Sequence, residues 1–412
     1  MLARPLRRSV ARVRAAAASD AAGLRQALAA LLVSSAGDLL AGLTLGAITG
    51  TLKSLPGLLV LVPAAIGMRG NIFGALGSRL GTLIHTGTFR LSWRRDTAVG
   101  QNLWASVVLT LSISAALAVL AKTVASLFGV SETISLLDFL VISSVGGVLS
   151  SVVVLAVTLG VAALSVRRGW DMDNVAAPLV TASGDMVTLP ALFLATYLVG
   201  LGGVTVVVGS LMALLALSSL VLAWRSDRDI MRRVLRESLP VLLVAGAIDI
   251  VAGLTIEHRV ESFFTYPALL VLIPPFLEDT GALGGVLSAR LASKLHLGVI
   301  TPSAVPQRPA RDDFAIIGLL AFPVFTLLAL SAEVVSLVFG LASPGAWQMV
   351  AVTLLGGLLA TAVAVVVAYY GSAATYRLGL DPDNYGIPMM TSTMDLVGAL
   401  SLVLAIIIVG VA

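Results

Sequence analysis

The stretch Asp171-Met-Asp-Asn-Val-Ala-Ala-Pro178-Leu-Val-Thr181-Ala-Ser-Gly-Asp185 returns 210 residues later as Asp381-Pro-Asp-Asn-Tyr-Gly-Ile-Pro388-Met-Met-Thr391-Ser-Thr-Met-Asp395. In both copies a Pro, a Thr and an Asp follow the Asn at steps of 4, 7 and 11 residues, which places all of them on one helical face. A carboxylate inside an apolar helix is costly unless it meets water, an ion or a partner charge. The repeated stripe therefore predicts a functional role for Asp185 and Asp395.

The composition indicates a membrane protein. Of 412 residues, 58% are hydrophobic and only 12% are charged, whereas a soluble domain carries about 25% charged residues. The absence of cysteine excludes thiolate metal sites and cysteine nucleophiles. Three histidines argue against a carrier of zinc or copper, because imidazole and sulfur bind those softer metals. The basic residues cluster in short segments between apolar runs, which argues against nucleic-acid binding.

Eleven apolar segments are predicted to be transmembrane helices, since most can cross about 30 Å of hydrocarbon. They lie at about 27–50, 56–84, 100–128, 136–165, 175–199, 202–224, 239–256, 266–293, 314–341, 348–375 and 385–411. Residues 1–25 are basic and lack the long apolar core of a signal peptide, so we expect a cytoplasmic segment, either an amphipathic helix or a disordered tail.

Arginine distribution predicts the orientation of these helices. The loops on the N-terminal side hold most of the arginines, including the basic stretch 225–238, while the opposite loops hold almost none. By the positive-inside rule, the N-terminus is cytoplasmic and the C-terminus is extracellular. We therefore expect a multi-pass protein of the plasma membrane.

The chain also contains a long internal repeat. Asp38-Leu-Leu-Ala-Gly-Leu-Thr44 returns as Asp249-Ile-Val-Ala-Gly-Leu-Thr255, at an offset of 211 residues. The predicted organisation is a five-helix repeat at 26–200, a linking helix at 201–225 and a second five-helix repeat at 226–412. An odd number of helices would invert the second repeat, and the linking helix restores its direction. We predict an all-α membrane protein with two parallel repeats about a pseudo-twofold axis along the membrane normal.

Four aspartates are the leading candidates for binding a cation. Asp38 and Asp249 lie within the first helix of each repeat, and Asp185 and Asp395 lie within the fifth. If the repeats meet at a central axis, these acids form an electronegative site. The alternative is that each carboxylate only ties helices together by hydrogen bonds.

Other polar residues are candidates on weaker grounds. We include the hydroxyls of Thr181 and Thr391, and Asn71, which follows a predicted glycine-rich break in the second helix and could instead belong to a glycine packing face. Residues at the start of each fifth helix act either as helix caps or as a vestibule for metal ions: Asp173, Asn174, Asp383 and Asn384. In the second repeat Glu278 and Asp279 replace Gly67 and Met68, so the halves are not equivalent there.

Magnesium is the preferred ion on chemical grounds. Mg²⁺ sites use one or two carboxylates and keep several waters, whereas Ca²⁺ draws more protein oxygens. Two facing aspartates, threonine hydroxyls and carbonyls freed at a helix break suit a partly hydrated Mg²⁺, with Ca²⁺ and Mn²⁺ left open.

These motifs resemble the membrane domain of the MgtE magnesium transporters, and more closely their duplicated solute-carrier relatives of eukaryotes and archaea. The resemblance rests on Asp-x-Asp-Asn-x(3)-Pro-x(2)-Thr-x(3)-Asp in both halves and on Pro-x(3)-Gly-x(2)-Gly-Asn in the second helix. It implies an Mg²⁺ pathway between two five-helix bundles, with Asp185 and Asp395 as the pore-site aspartates. Unlike bacterial MgtE, this sequence contains no CBS pair.

The sequence thus predicts a divalent-cation transporter, with Mg²⁺ as first candidate and one chain sufficient to form the pathway within the lipid bilayer. The alternative is a proton- or sodium-coupled exchanger that uses the same aspartates. An intramembrane aspartyl protease is disfavoured, because the chain lacks the Tyr-Asp and Gly-x-Gly-Asp pattern. We therefore expect no enzymatic activity.

Overall fold

The structure is a computed structural model that describes residues 21–130, 132–168, 172–378 and 387–411, with side chains from residue 34 onward except at 172–178 and 387. These residues form helices joined by short connections, without strands. The helices are α1 (Ala21–Ala47), α2 (Thr49–Ser54), α3 (Leu58–His85), α4 (Ala98–Leu127), α5 (Leu136–Arg168), α6 (Met172–Thr196), α7 (Gly203–Trp224), α8 (Asp229–Glu257), α9 (Val260–Thr265), α10 (Ala268–His296), α11 (Arg308–Val338), α12 (Ala346–Leu378) and α13 (Ile387–Val409).

Within the residues whose side chains are described, 10 helices are long and apolar enough to cross a membrane. Helix α1 has 27 residues, but its first half lies outside that set. The prediction of an all-helical membrane protein is confirmed.

The order of elements repeats along the chain. Helices α1–α6 and α8–α13 follow the same sequence of long and short helices, and α7 lies between them. The connections repeat as well: Gly87 and Gly298, which follow α3 and α10, have φ values of 68° and 70°. This left-handed conformation favours glycine, which has no Cβ to clash. The 211-residue sequence repeat is therefore also a structural repeat.

The first helix of each repeat packs against the other repeat. Helix α1 contacts α10 as well as α6 of its own repeat, and α8 contacts α3 as well as α13. These crossed contacts are reciprocal, as expected for a twofold relation. They bring the polar faces of both repeats to one interface.

Two equivalent glycines allow this crossed packing. A Cβ added to Gly42 in α1 would lie 2.1 Å from the carbonyl oxygen of Val271, and one added to Gly253 in α8 would lie 2.3 Å from that of Val60. Backbones in membrane bundles approach this closely only where the residue is small. These glycines let the repeats approach closely one helical turn from Asp38 and from Asp249.

Two expectations about the helices were wrong. The predicted glycine-rich break in the second helix is absent: α3 runs without interruption from Leu58 to His85. Carbonyls released inside hydrocarbon would lack partners, so the helix keeps its hydrogen bonds through the glycines. Pro63, which has no N–H, withholds a donor only from the carbonyl of Leu59. The glycines therefore free no carbonyl to bind an ion.

The basic stretch 225–238, expected as a connection, is helical from Asp229 onward. Its arginines favour helix formation, and Arg233 donates to Glu237 one turn later at 2.8 Å.

We predict that the contact between the repeats limits the stability of the fold. Gly42→Ala and Gly253→Ala should each lower the free energy of unfolding by about 1–3 kcal/mol, the range for overpacking a tight contact. Thermal unfolding of the purified protein in detergent measures the effect. Gly160→Ala is the control, because a Cβ at this helical glycine meets nothing within 4 Å. Parental stability in both interface variants would contradict the prediction.

Candidate functional site

Asp38 in α1 and Asp185 in α6 form the centre of a first acidic group. Their carboxyl groups lie within hydrogen-bonding reach of each other. Both side chains are buried, with 0% and 3% of their surface exposed. Because ionised carboxylates only accept hydrogen bonds, neither can satisfy the other, and both oxygens of Asp38 and Oδ2 of Asp185 lack a donor.

Helix α10 of the other repeat completes this group with Glu278 and Asp279. Both are charge neighbours of Asp38, which means that they lie close enough for their charges to interact with it. The Ser35 hydroxyl donates to both carboxylate oxygens of Asp279, at 2.9 and 3.1 Å. We call the four residues half-site A: Asp38, Asp185, Glu278 and Asp279.

The equivalent group in the other repeat contains Asp249 in α8 and Asp395 in α13. A Cβ added to Gly67 of α3 would lie 3.3 Å from Oδ2 of Asp249 and 3.6 Å from Oδ2 of Asp395. Both aspartates therefore point at the same position on α3. Both oxygens of Asp249 lack a hydrogen-bond partner, although the residue is 0% exposed. We call Asp249 and Asp395, with Gly67, half-site B.

The two half-sites lie close enough to share an electrostatic field. Asp395 is a charge neighbour of Asp185, and Glu278 is a charge neighbour of Asp38, Asp185 and Asp395. Glu278 and Asp395 are also the two members of the combined group with partly accessible side chains. Space the size of a water molecule therefore exists beside these two side chains.

The predicted threonines lie one turn from the fifth-helix aspartates. Thr181 faces Gly70 of α3, where an added Cβ would lie 3.8 Å from its hydroxyl oxygen. The Thr391 hydroxyl donates to the carbonyl oxygen of Pro388 at 3.1 Å. Each hydroxyl belongs to a residue four positions before the aspartate of its own helix.

Asn71 follows Gly67 of half-site B by one turn of α3, on the same helical face. It lines a cavity of about 20 Å³ between α3, α8 and α13, together with Arg79, Ser238 and Pro388. That volume accommodates about one water molecule. The side-chain nitrogen of Asn71 has no hydrogen-bond partner within the described structure, so this residue presents a donor to the cavity.

The predicted vestibule residues cannot be placed. Asp173 and Asn174 belong to the first turn of α6, but their side chains lie outside the described residues, as do Asp383 and Asn384 altogether.

Sequence reasoning missed three charged residues at this depth. Glu278 and Asp279 indicated only an asymmetry between the repeats, because they have no acidic equivalents in the first repeat. Arg69 of α3 is 1% exposed and donates to the hydroxyls of Ser114 and Ser151, at 2.9 and 3.0 Å. The guanidinium thus points toward α4 and α5, and not into either half-site.

The arrangement can attract a cation without forming a ready-made cage. Among the described residues, no three acidic or histidine side chains converge on one metal-sized point. A partly hydrated ion fits this geometry, since bound waters can bridge carboxylates that do not meet.

Comparisons with known proteins fit this chemistry. The family model MgtE, described as a divalent cation transporter, matches residues 62–195 and 273–405. Solute carrier family 41 member 2 of Xenopus laevis is 26% identical over 415 residues, covering 90% of this chain and 69% of the relative. Member 3 of Rattus norvegicus is 25% identical over 403 residues, covering 92% of this chain and 85% of the relative. No solved structure matches the chain.

Proposed function

Because the chain belongs to the MgtE family of divalent cation transporters, we propose that it carries Mg²⁺ through a pathway between its two repeats. Asp38, Asp185, Asp249 and Asp395 line this pathway and bind the ion. Thr181 and Thr391 contribute hydroxyls beside the fifth-helix aspartates. As a multi-pass membrane protein of this family, the chain is a transporter and not an enzyme.

One observation carries the proposal: matched aspartates from both repeats meet at one interface while several of their buried oxygens lack a donor. Both carboxylate oxygens of Asp38 and both of Asp249 are buried and have no hydrogen-bond partner in the described structure. A carboxylate so placed is strongly destabilised unless a cation or water compensates it. The hydroxyl of Ser34 lies near Asp38 and that of Ser392 near Asp249, but neither aspartate forms a hydrogen bond of normal geometry among the described residues. This favours ion binding over a role in tying helices together.

The ligand type favours Mg²⁺ among the divalent ions. Each half-site has one aspartate from a first helix and one from a fifth helix, and Mg²⁺ is usually held by one or two carboxylates with retained waters. The helix-break carbonyls that the sequence suggested as further ligands are not available in α3, so water fills those coordination positions.

The arginine distribution and the crossed helices support our proposals for orientation and assembly. We place the protein in the plasma membrane, with the N-terminus in the cytoplasm and the C-terminus outside, on the arginine distribution. Both halves of the pathway come from one chain, so a monomer suffices for transport.

We predict that neutralising the fifth-helix aspartates stops transport. Asp185→Asn and Asp395→Asn should each lower Mg²⁺ flux into proteoliposomes at least about tenfold, because even losing an outer-shell partner weakens metal binding by that factor. A fluorescent Mg²⁺ indicator inside the vesicles measures flux. Asp96→Asn is the matched control, since Asp96 pairs with Arg94 in an exposed connection. Parental flux in both variants would exclude the proposed pathway.

A coupled exchanger is the second candidate, and the number of carboxylates favours it. The two half-sites together hold six acids, Asp38, Asp185, Asp249, Glu278, Asp279 and Asp395, whereas one divalent ion neutralises two charges. Protons or Na⁺ could neutralise the remainder and move in the opposite direction.

The exchanger makes a distinct prediction. In vesicles with equal Mg²⁺ on both sides, an imposed Na⁺ or pH gradient should drive net Mg²⁺ movement, which the same indicator records. Asp185→Asn should abolish the driven component. Failure of both gradients to move Mg²⁺, in protein that conducts Mg²⁺ down its own gradient, would exclude the exchanger and leave the uncoupled pathway.

A further inference from the structure

Helices α3 and α10 occupy equivalent places in the two repeats but carry different side chains at the acidic interface. Where α3 has Gly67 and Met68, α10 has Glu278 and Asp279. Gly67 adds no side chain to half-site B, and Met68 is 0% exposed within the apolar core. Half-site A therefore contains two acids that half-site B lacks.

We propose that Glu278 is a ligand of the transported divalent ion and makes half-site A the tighter of two unequal binding positions. The inference rests on the function proposed above, in which the aspartates of both half-sites bind the ion. It adds a residue outside the repeated motif and a difference in affinity between the halves.

The environment of Glu278 is that of an available ligand. Within the described part of the chain, no donor forms a hydrogen bond with its carboxylate, and its side chain is partly accessible to water. It is a charge neighbour of Asp38 and Asp185, whose unsatisfied oxygens are almost wholly buried. An approaching cation would therefore meet Glu278 while still partly hydrated, with those oxygens beside it.

Asp279 has a different part in the same half-site. The Ser35 hydroxyl donates to both of its oxygens, so its carboxylate is held in place. This bond joins α1 of the first repeat to α10 of the second, next to Asp38. Asp279 thus contributes a fixed negative charge, while Glu278 is free to turn toward the ion.

Charge alone makes the half-sites unequal. Half-site A holds four carboxylates and half-site B holds two, and attraction between charges is stronger in a protein interior than in water. Additional protein oxygens also favour ions that shed water more readily than Mg²⁺, such as Ca²⁺. We therefore expect tighter Mg²⁺ binding in half-site A and a weaker preference there for Mg²⁺ over Ca²⁺.

Calorimetric titration of the purified protein with Mg²⁺, and separately with Ca²⁺, tests the inference. The parent should show a tight and a weak binding step. Asp38→Asn should remove the tight step, and Asp249→Asn should remove the weak step. The two variants are a matched pair, because they replace equivalent residues of the two repeats. Glu278→Gln, similar in size but uncharged, should weaken the tight step at least about tenfold. Glu261→Gln, at an exposed position, should keep parental affinity.

Glu278→Asp covers the case in which the glutamine variant fails to fold. It keeps the charge but withdraws the carboxylate by one methylene. We therefore expect the Mg²⁺ affinity of its tight step to lie between the affinities of the parent and of Glu278→Gln. Parental Mg²⁺ affinity in a folded Glu278→Gln or in Glu278→Asp overturns the inference, as does equal loss of both steps from Asp38→Asn and Asp249→Asn.

These outcomes are separable from failure of the proposed function. If Glu278→Gln binds Mg²⁺ like the parent while Asp185→Asn and Asp395→Asn lose flux, the aspartate pathway stands and the unequal half-sites do not. If the aspartate variants keep both flux and binding, the pathway itself is wrong.

Discussion

The central constraint on this structure is the placement of several acidic side chains inside an apolar helical bundle that has few charged residues. An ionised acid in hydrocarbon is destabilising by several kcal/mol or more unless it is compensated, and six acids collect at the interface of the two repeats. Within the described part of the chain, the Ser35 hydroxyl reaches both carboxylate oxygens of Asp279. The others face one another across helices that come from both halves of the chain. Their joint position requires that protons, cations or water compensate their charge.

The crossed packing of the first helices is what brings the acids together. Because α1 packs on α10 and α8 packs on α3, each half-site combines residues of both repeats. Gly42 and Gly253 permit this close approach, at equivalent positions on the two helices. An interface built from shared half-sites couples the relative position of the repeats to the distances between their carboxylates. A small movement of one repeat would change both half-sites together.

Much of the fold could be predicted from the sequence, since apolar segment lengths and the 211-residue repeat depend on strong, local patterns. The aspartates stood out because a charge in an apolar helix is conspicuous. The crossed contacts could not be predicted, because a repeated sequence does not say whether its first helix stays within its own repeat. Glu278 was underestimated for a related reason: a search for matched positions gives little weight to a residue present in one half. The expected helix break failed because glycine frequency also reflects close packing, as Gly70 facing Thr181 illustrates.

The crossed packing of the first helices also affects how the protein folds during its synthesis. Helix α1 leaves the ribosome long before α10, which begins at Ala268. Until then Gly42 of α1 lacks the backbone of Val271 against which it packs. The nascent chain must hold an acidic helix in an incomplete bundle while the rest is inserted. The final packing of the first repeat therefore waits for helices of the second repeat to enter the membrane.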